Sequence, residues 1–157
     1  MTETIHNLDD TDRRLLACLQ ENGRLTNQEL AEAANTSPAT CSRRLKALEQ
    51  AGVIRRHTVL LDREKLGVSL CAIVQISLIR HGAVDVAAVE DAICAHPQVQ
   101  ECYAASGDAD IIMRVVAHDI ASYNRFLEDV LFPMEGVSQV RSNIVLRELK
   151  YEVALPV

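Results

Sequence analysis

One short stretch of the chain combines small polar side chains with cations at a spacing that suits contact with a polyanion. Ser37-Pro38 predicts a helix start, because Ser is a favoured N-cap and Pro fits the first helical position. Opposite the apolar stripe of this helix, small side chains would let it approach base edges, and cations would reach guanines or phosphates. A solvated face with incidental charge is the alternative. The candidate nucleic-acid contacts in the helix are Ser37, Ala39, Thr40, Ser42, Arg43, Arg44 and Lys46.

The residues after this helix extend the same candidate surface. Val53–Leu61 is rich in β-branched and apolar residues, so we expect a strand that lies beside the helix as a wing. Arg55 and Arg56 at its start are added to the candidate contacts.

Two further helices are predicted before this one. Asp9 or Asp10 can cap the first, which ends at Asn22-Gly23, where both residues tolerate a left-handed conformation. Thr26-Asn-Gln-Glu29 is a capping-box sequence that starts the second, and Asn35-Thr36 ends it. Three short helices with a tight turn between the last two are typical of a helix-turn-helix. The expected apolar faces are Leu15, Leu16 and Leu19, then Leu30 and Ala34, then Cys41, Leu45 and Leu48.

The distribution of charge supports a division of the chain into two parts. The whole sequence carries a net charge of −6, which argues against a generic polyanion binder. Residues 1–65 contain ten cations and ten anions, and residues 36–56 contain five cations against one anion. The acidic excess therefore lies wholly in the second part. With 3% aromatic residues and no Trp, single-strand binding by base stacking is not expected.

The second part alternates strand and helix patterns in the order β-α-β-β-α-β, a ferredoxin-like arrangement in an α+β chain. We expect a winged helix-turn-helix domain over residues 1–60, a connector over 61–68 and the ferredoxin-like domain over 69–157. The predicted elements are strands Cys71–Ile79, Val99–Ala105, Ile111–Ala117 and Val137–Lys150, a helix over Asp85–Ala95 and a helix capped by Asp119.

Both helices of such a unit are expected on one face of the sheet. In the first strand the even positions, such as Val74 and Ile76, are fully apolar and should face the helices. The odd positions, such as Ile73 and Gln75, are mixed and still too apolar to leave exposed. The sequence therefore predicts self-association through the uncovered face, which would present two helix-turn-helix units to a two-fold DNA site.

Signatures of catalysis, metal binding and membrane insertion are absent from the sequence. The five cysteines form no C-x-x-C pair and the five histidines no H-x-x-x-H pair, so we expect reduced thiols and neither metal nor cofactor. No Ser/His/Asp or Cys/His grouping appears, and a hairpin turn explains the Asp108–Asp110 carboxylate pair, so an enzyme is not expected. No apolar run approaches the roughly 20 residues of a membrane span. The N-terminus lacks a secretory signal, which makes the cytoplasm the expected compartment.

Together these motifs resemble the Lrp/AsnC (leucine-responsive regulator, feast/famine) family of transcription factors. The resemblance covers about Leu8 to Lys150. Ala39-Thr40 stands where several relatives have a Thr-Pro pair, so no operator sequence is transferred. The matching stretches are Leu8–Leu16, Asn22–Arg24, Leu30-Ala31, Ser37–Glu49, Gly52–Ile54, Val99–Tyr103 and Ser106–Asp110.

The resemblance implies a regulator that binds double-stranded DNA, dimerises through its ferredoxin-like domain and in the family often assembles into octamers. It also implies a small effector, usually an amino acid, at the interface between dimers. Backbone N–H groups of a Gly-containing turn can hold a carboxylate, and Asp108 or Asp110 an ammonium group. A hairpin turn with no ligand is the alternative for this loop. The residues expected at the effector site are Tyr103, Ser106, Gly107, Asp108, Ala109, Asp110, Gly136, Val137 and Ser138.

A different function remains open on the sequence: an oligomeric effector-sensing scaffold whose helical domain binds protein rather than DNA. The two hypotheses differ in salt dependence, because DNA binding through several cations weakens steeply as salt rises.

Overall fold

The computed structural model describes residues 7–79 and 85–157 and divides the chain into two compact units. One unit comprises the residues up to Leu60 together with Lys150–Val157, and the other comprises Leu61–Leu149. The sequence expectation placed the C-terminal residues in the second domain, whereas the structure groups them with the helical one.

The first unit is built on three helices. They are α1 (Asp10–Glu21), α2 (Asn27–Ala33) and α3 (Pro38–Gln50), as the sequence predicts for a helix-turn-helix. Their apolar sides meet in a small core in which every side chain is at most 1% exposed. The residues of that core are Leu15, Leu30, Ala31, Ala34 and Cys41.

Each helix begins at a side-chain cap. Asp9 accepts from the backbone N–H groups of Thr11 and Asp12, both at 2.9 Å, at the start of α1. At α2, Thr26 N donates to Glu29 Oε2 at 2.7 Å while Glu29 N donates to Thr26 Oγ1 at 3.3 Å, so the predicted capping box is present. Such reciprocal bonds satisfy N–H groups that have no partner inside the helix.

The helix ends are confirmed in position, with one difference in mechanism. Asn35 (φ 53°) and Gly52 (φ 72°) adopt left-handed conformations after α2 and α3. Asn22, in contrast, is extended at φ −143°, so α1 ends without the left-handed residue that the sequence suggested. Its side chain instead accepts from Arg24 N at 3.0 Å and directs the chain into the turn.

The predicted strand over Val53–Leu61 is wrong for the single chain. Residues 55–61 have no regular structure, and the N–H groups of Val53 and Ile54 both donate to Leu48 O at the end of α3. Val59, Leu60 and Leu61 are 77%, 63% and 71% exposed. A strand needs a partner for its backbone groups, and the described part of the chain offers none here.

The C-terminal segment is anchored to α1 by one side chain. The Gln20 amide donates to Leu155 O at 3.0 Å and accepts from Leu155 N at 2.7 Å, as a neighbouring strand would. This pair links residues 135 positions apart in the sequence, which no local pattern could predict.

The second unit is a four-stranded antiparallel sheet with helices on one face. Its elements are β1 (Leu70–Leu78), α4 (Val86–Cys94), β2 (Val99–Ala104), β3 (Ile111–Ala117), α5 (Ile120–Phe126) and β4 (Val137–Ile144). The strand order is β2-β3-β1-β4, which confirms the α+β ferredoxin-like prediction. Helix α5 continues directly into a π-helical turn over Leu127–Leu131.

The two faces of the sheet differ as the alternation in β1 predicts. Ala72, Val74 and Ile76 are fully buried against residues of both helices, such as Ile93 and Phe126. On the other face the structure describes no helix. We call this surface the open face; Cys71 on it is buried, and its half-buried residues in β1 and β3 are Ile73, Gln75, Ser77, Ile112, Arg114 and Val116.

Strand β4 is shorter than the predicted Val137–Lys150. Its pairing with β1 ends at Ile144, and Val145 N then makes one more bond to Cys71 O at 2.9 Å. Because β1 itself begins at Leu70, the residues after Val145 have no neighbouring strand. In the two described ranges, no helix is both long and apolar enough to cross a bilayer.

The capping box yields a first prediction. Thr26→Ala removes the hydroxyl that accepts from Glu29 N, so we expect the free energy of unfolding to fall by about 1 kcal/mol. Urea unfolding followed by circular dichroism measures the change. Thr58→Ala is the control, because Thr58 is exposed and caps no helix, and it should have little effect. Equal stability of Thr26→Ala and the wild type would contradict the role of this cap.

Candidate nucleic-acid interface and effector site

The outer face of α3 carries four exposed residues in a line. Ser42 and Arg43 each lie three or four positions from Ala39 and from Lys46, and all four residues are exposed. Residues at this spacing share one side of a helix. Cys41 and Leu48 on the opposite side are buried at 0% and 1% exposure, which fixes the rotation of the helix. The face therefore begins with small side chains and ends with two cations.

Arg44 does not belong to this face, which corrects the sequence expectation. Its Nη1 lies 2.7 Å from Asp9 Oδ2 and 2.9 Å from Asp12 Oδ1, so two of the three aspartates at the start of α1 hold it. The Asp12 side chain is only 10% exposed. Because removing one partner would leave a charge buried without compensation, this cluster fixes α3 against α1 rather than leaving Arg44 for a ligand.

Two further bonds position the helices that surround α3. The Asn27 amide, in α2, donates to Pro38 O at 3.0 Å and links the starts of α2 and α3. Arg14 Nε, in α1, donates to Ala34 O at 3.0 Å, at the end of α2. Both bonds use exposed or half-exposed polar side chains, so their partners cannot be found from apolar periodicity.

Two of the predicted contact residues carry a structural duty. Ser37 Oγ accepts from Thr40 N at 3.2 Å and its hydroxyl donates to Thr40 Oγ1 at 2.9 Å. These bonds cap α3 and hold both hydroxyls at its N-terminal end.

Arg55 and Arg56 are exposed in the irregular segment that follows α3. In the same segment His57 Nε2 lies 3.3 Å from Glu49 Oε1, beside the only anion between residues 36 and 56.

The predicted effector residues form two loops that meet at the end of β1. The first loop, residues 105–110, is closed by Ala105 N to Asp110 O at 2.9 Å and joined to β1 by Asp110 N to Ile76 O at 2.9 Å. The second, residues 136–138, is joined to β1 by Ile79 N to Gly136 O at 2.8 Å. The structure thus brings Ser106–Asp110 and Gly136–Ser138 to one end of the sheet.

The two aspartates of the first loop differ in their surroundings. Asp110 Oδ2 accepts from Leu78 N at 2.7 Å, so its carboxylate already serves the loop itself. Asp108 is exposed, and its backbone oxygen, not its carboxylate, is the group bonded to Ser77. Gly107 adopts φ 146°, where a side chain would be strained.

Tyr103 lies apart from these loops in its hydrogen bonding. Its side chain is 58% exposed, and its hydroxyl donates to Glu101 Oε2 at 3.2 Å. Glu101 Oε1 also pairs with Arg114 Nη1 at 3.0 Å. Because the carboxylate is close to the phenol, the pKa of Tyr103 is raised. The three side chains form a polar group on the open face.

Comparison with known proteins settles the family. The winged helix-turn-helix DNA-binding model matches residues 8–55, and the Lrp/AsnC ligand binding domain model matches residues 71–155. The chain belongs to the Lrp/AsnC family of transcriptional regulators. This membership confirms the resemblance that the sequence motifs predicted.

Relatives of this Lrp/AsnC regulator match it along nearly the whole chain. It is 35% identical over 150 residues to transcriptional regulator AzlB of Bacillus subtilis, covering 96% of both chains. It is 36% identical over 143 residues to the leucine-responsive regulatory protein of Rhizobium meliloti, covering 91% of this chain and 92% of that one.

Two solved structures of transcriptional regulators match this chain in fold along nearly its whole length. A transcriptional regulator of Neisseria meningitidis in complex with L-Met matches at TM-score 0.88 and 36% identity, over 96% of this chain and 97% of that one. An AsnC family transcriptional regulator of Agrobacterium tumefaciens matches at TM-score 0.89 and 34% identity, over 95% and 97%.

Sequence reasoning missed residues whose role depends on contacts across the fold. Asp12 completes the clamp on Arg44, and Asn27 joins two helix starts. Ser77 lies between the two effector loops, although the sequence placed it only on a mixed strand face. A small polar residue near the end of a mostly apolar strand is the one signal for Ser77 in the sequence. For Asp12 the signal was its position three residues after the N-cap.

Two of the caps in the first unit depend on ionised carboxylates. The pKa of Asp9 is lowered, first by the bond from Asp12 N and next by the Arg44 guanidinium. The pKa of Glu29 is lowered by its bonds from the backbone N–H and hydroxyl of Thr26. A carboxyl group whose pKa is lower in the folded state stabilises the fold above its unfolded pKa.

From these shifts we predict that the first unit loses stability as the pH falls. The loss should begin near the ordinary carboxyl values of 3.8 and 4.5 and continue until the pH passes below the folded pKa values of Asp9 and Glu29. Urea unfolding between pH 7 and pH 3 measures it. Asp9→Asn should reduce this pH dependence, whereas Asp10→Asn, which removes an exposed carboxylate next to the cap, should leave it unchanged. The same slope in wild type and Asp9→Asn would disprove the role of Asp9.

Proposed function

We propose that this Lrp/AsnC regulator binds double-stranded DNA as a homodimer, with α3 in the major groove and an amino acid at the two effector loops modulating binding or assembly. The exposed face of α3 carries the proposal. Its small residues at 39 and 42 permit close approach to base edges, and Arg43 and Lys46 have no role in the helical core. The proposed contacts to the phosphate backbone of the DNA, on either side of this face, are Ser37, Thr40, Arg55 and Arg56.

The neighbouring residues Arg43 and Arg44 have different proposed roles. Arg44 is held by Asp9 and Asp12, so it stabilises the position of α3. Arg43 points to the exposed side, where a guanidinium can donate two bonds to one guanine. We therefore assign base discrimination to Arg43 and helix placement to Arg44.

Dimerisation is proposed through the open face. Its half-buried aliphatic residues, among them Ile73, Ile112 and Val116, would lose exposed apolar surface against a second copy. The Glu101–Arg114 ion pair on that face would add polar specificity. A two-fold dimer presents two copies of α3, as a palindromic site requires. Assembly of dimers into larger rings is the extension that the family resemblance implies.

The effector proposal assigns the ammonium group of an amino acid to Asp108. The carboxylate of Asp110 is engaged by Leu78 N, whereas Asp108 is exposed at the loop. The Gly107 turn would offer backbone N–H groups to the ligand's carboxylate. The L-Met complex of the Neisseria regulator supports an amino acid as the class of ligand. Ala109, Val137 and Ser138 complete the proposed surroundings.

A regulator of this kind needs no catalytic chemistry and works where the DNA is, in the cytoplasm. The described residues contain no group of three or more His, Cys, Asp or Glu side chains placed to hold a metal ion.

Arg43→Ala tests the DNA proposal. We expect it to weaken binding by roughly 1–3 kcal/mol and to relax base preference at one position per half-site. Binding is measured by fluorescence anisotropy on duplex DNA that the wild type selects from a randomised library. Arg125→Ala is the matched control, an exposed cation in α5, and should bind as the wild type does. Wild-type affinity in Arg43→Ala would contradict α3 as the reader, and no selection of DNA at low salt would favour the protein-binding scaffold.

Asp108→Asn tests the effector proposal. The wild type should gain thermal stability from one or a few of the twenty amino acids, by about 2.7 kcal/mol at a hundred times the dissociation constant. Loss of the charge-assisted bond to the ammonium group should weaken that ligand roughly tenfold to a hundredfold in Asp108→Asn. Asp91→Asn, on the exposed side of α4, should leave it unchanged. A screen in which no amino acid raises the melting temperature of the wild type would refute the effector proposal.

A further inference from the structure

The end of β1 distributes its polar groups between the two effector loops. Leu78 N donates to the Asp110 carboxylate of the first loop at 2.7 Å, and Ile79 N donates to Gly136 O of the second loop at 2.8 Å. Ser77 contacts both loops by itself. Its hydroxyl lies 3.4 Å from Asp108 O, to which it donates, and its backbone oxygen accepts from Ser138 Oγ at 2.8 Å.

A β-bulge makes the second of these contacts possible. The pairing of β1 with β4 shifts between Ser77, which faces Gln139, and Leu78, which faces Val137. Ser138 is therefore an extra residue on β4. A bulge redirects a side chain and is common beside functional sites. Here the side chain of the extra residue turns onto the carbonyl of Ser77.

We infer that Ser77 is a positioning residue that holds both effector loops in one arrangement. The inference deepens the proposed effector site and rests on it for the ligand, whereas the placement of the loops stands on the contacts alone. Asp108 is the proposed ammonium partner, and the backbone oxygen of this same residue accepts from Ser77. Loss of the hydroxyl frees the Asp108 peptide, while the base of the loop stays closed by Asp110 and Ala105.

The role differs from that of a residue that contacts the ligand. Ser77 uses its hydroxyl on one loop and its carbonyl on the other, so both groups serve the protein itself. An amino acid bound between the loops would depend on Ser77 through the spacing of the loops. A change at this position should therefore alter ligand affinity and loop protection together, and leave the DNA contacts of α3 unchanged.

Ser69 provides a matched control at the opposite end of β1. It immediately precedes β1, and its hydroxyl donates to His118 O at 2.8 Å. Like Ser77, it ties a strand end to the backbone oxygen of a loop. His118, however, follows β3 at the other end of the pairing, since Leu70 pairs with Ala117 and Ile76 with Ile111.

The test combines hydrogen–deuterium exchange with ligand binding on the full chain. In Ser77→Ala we expect exchange of peptides covering residues 105–110 to rise about threefold or more, because a lost hydrogen bond lowers the free energy of local opening. Ser138→Ala should do the same for residues 136–139. Ser69→Ala should leave both segments at wild-type rates. Ser77→Thr, which keeps a hydroxyl, should restore protection of residues 105–110.

Calorimetric titration with L-methionine supplies the ligand measurement. We expect Ser77→Ala to bind it about fivefold or more weakly than the wild type, with the affinity for duplex DNA in the absence of amino acid unchanged. Unchanged exchange at residues 105–110 in Ser77→Ala would overturn the positioning role. Raised exchange in a protein whose wild type fails to bind any of the twenty amino acids would instead overturn the effector proposal and leave the positioning role in place.

Discussion

Strand β1 pairs with β3 on one side and with β4 on the other, so its register places every other element of the second unit. Its even residues supply the floor of the core under α4 and α5. Its odd residues form the centre of the open face, and its last residues bind the two loops proposed for the effector. A single strand thus carries the core, the proposed self-association surface and the proposed effector loops, and a register shift of one residue would disrupt all three at once.

In the first unit, polar contacts between the helices set the position of α3. Its core is small, and the direction of α3 is set by bonds between helix starts and ends, such as Asn27 to Pro38 O and Arg44 to Asp9. This arrangement uses one cation internally and leaves Arg43 and Lys46 outward. The net charge of −6 is therefore a poor guide to the partner, because the acidic excess belongs to the other unit.

Features that depend on neighbouring residues in the chain could be predicted from the sequence. The Thr26–Glu29 capping box, the Ser37-Pro38 start and the alternation in β1 all follow from local stereochemistry. Features that depend on distant partners could not. Arg44, at the flank of the outer face, is a candidate DNA contact on the sequence because its partner Asp12 lies 32 positions away. Residues 53–61 have the composition of a strand, and composition says nothing about whether a partner strand exists. The candidate site shows the same division: its turns follow from local residue types and their link to an effector from the family resemblance, whereas the role of Ser77 required the fold.

The two hydrogen bonds between the Gln20 side chain and the backbone of Leu155 lie within a helical unit that is discontinuous in sequence. The chain leaves it after Leu60 and returns at Lys150, so two covalent connections, not one, join it to the sheet. A fragment ending near residue 60 would expose the side of α1 that Gln20 occupies. An affinity tag or reporter fused to Val157 would likewise be attached to the DNA-reading half of the molecule.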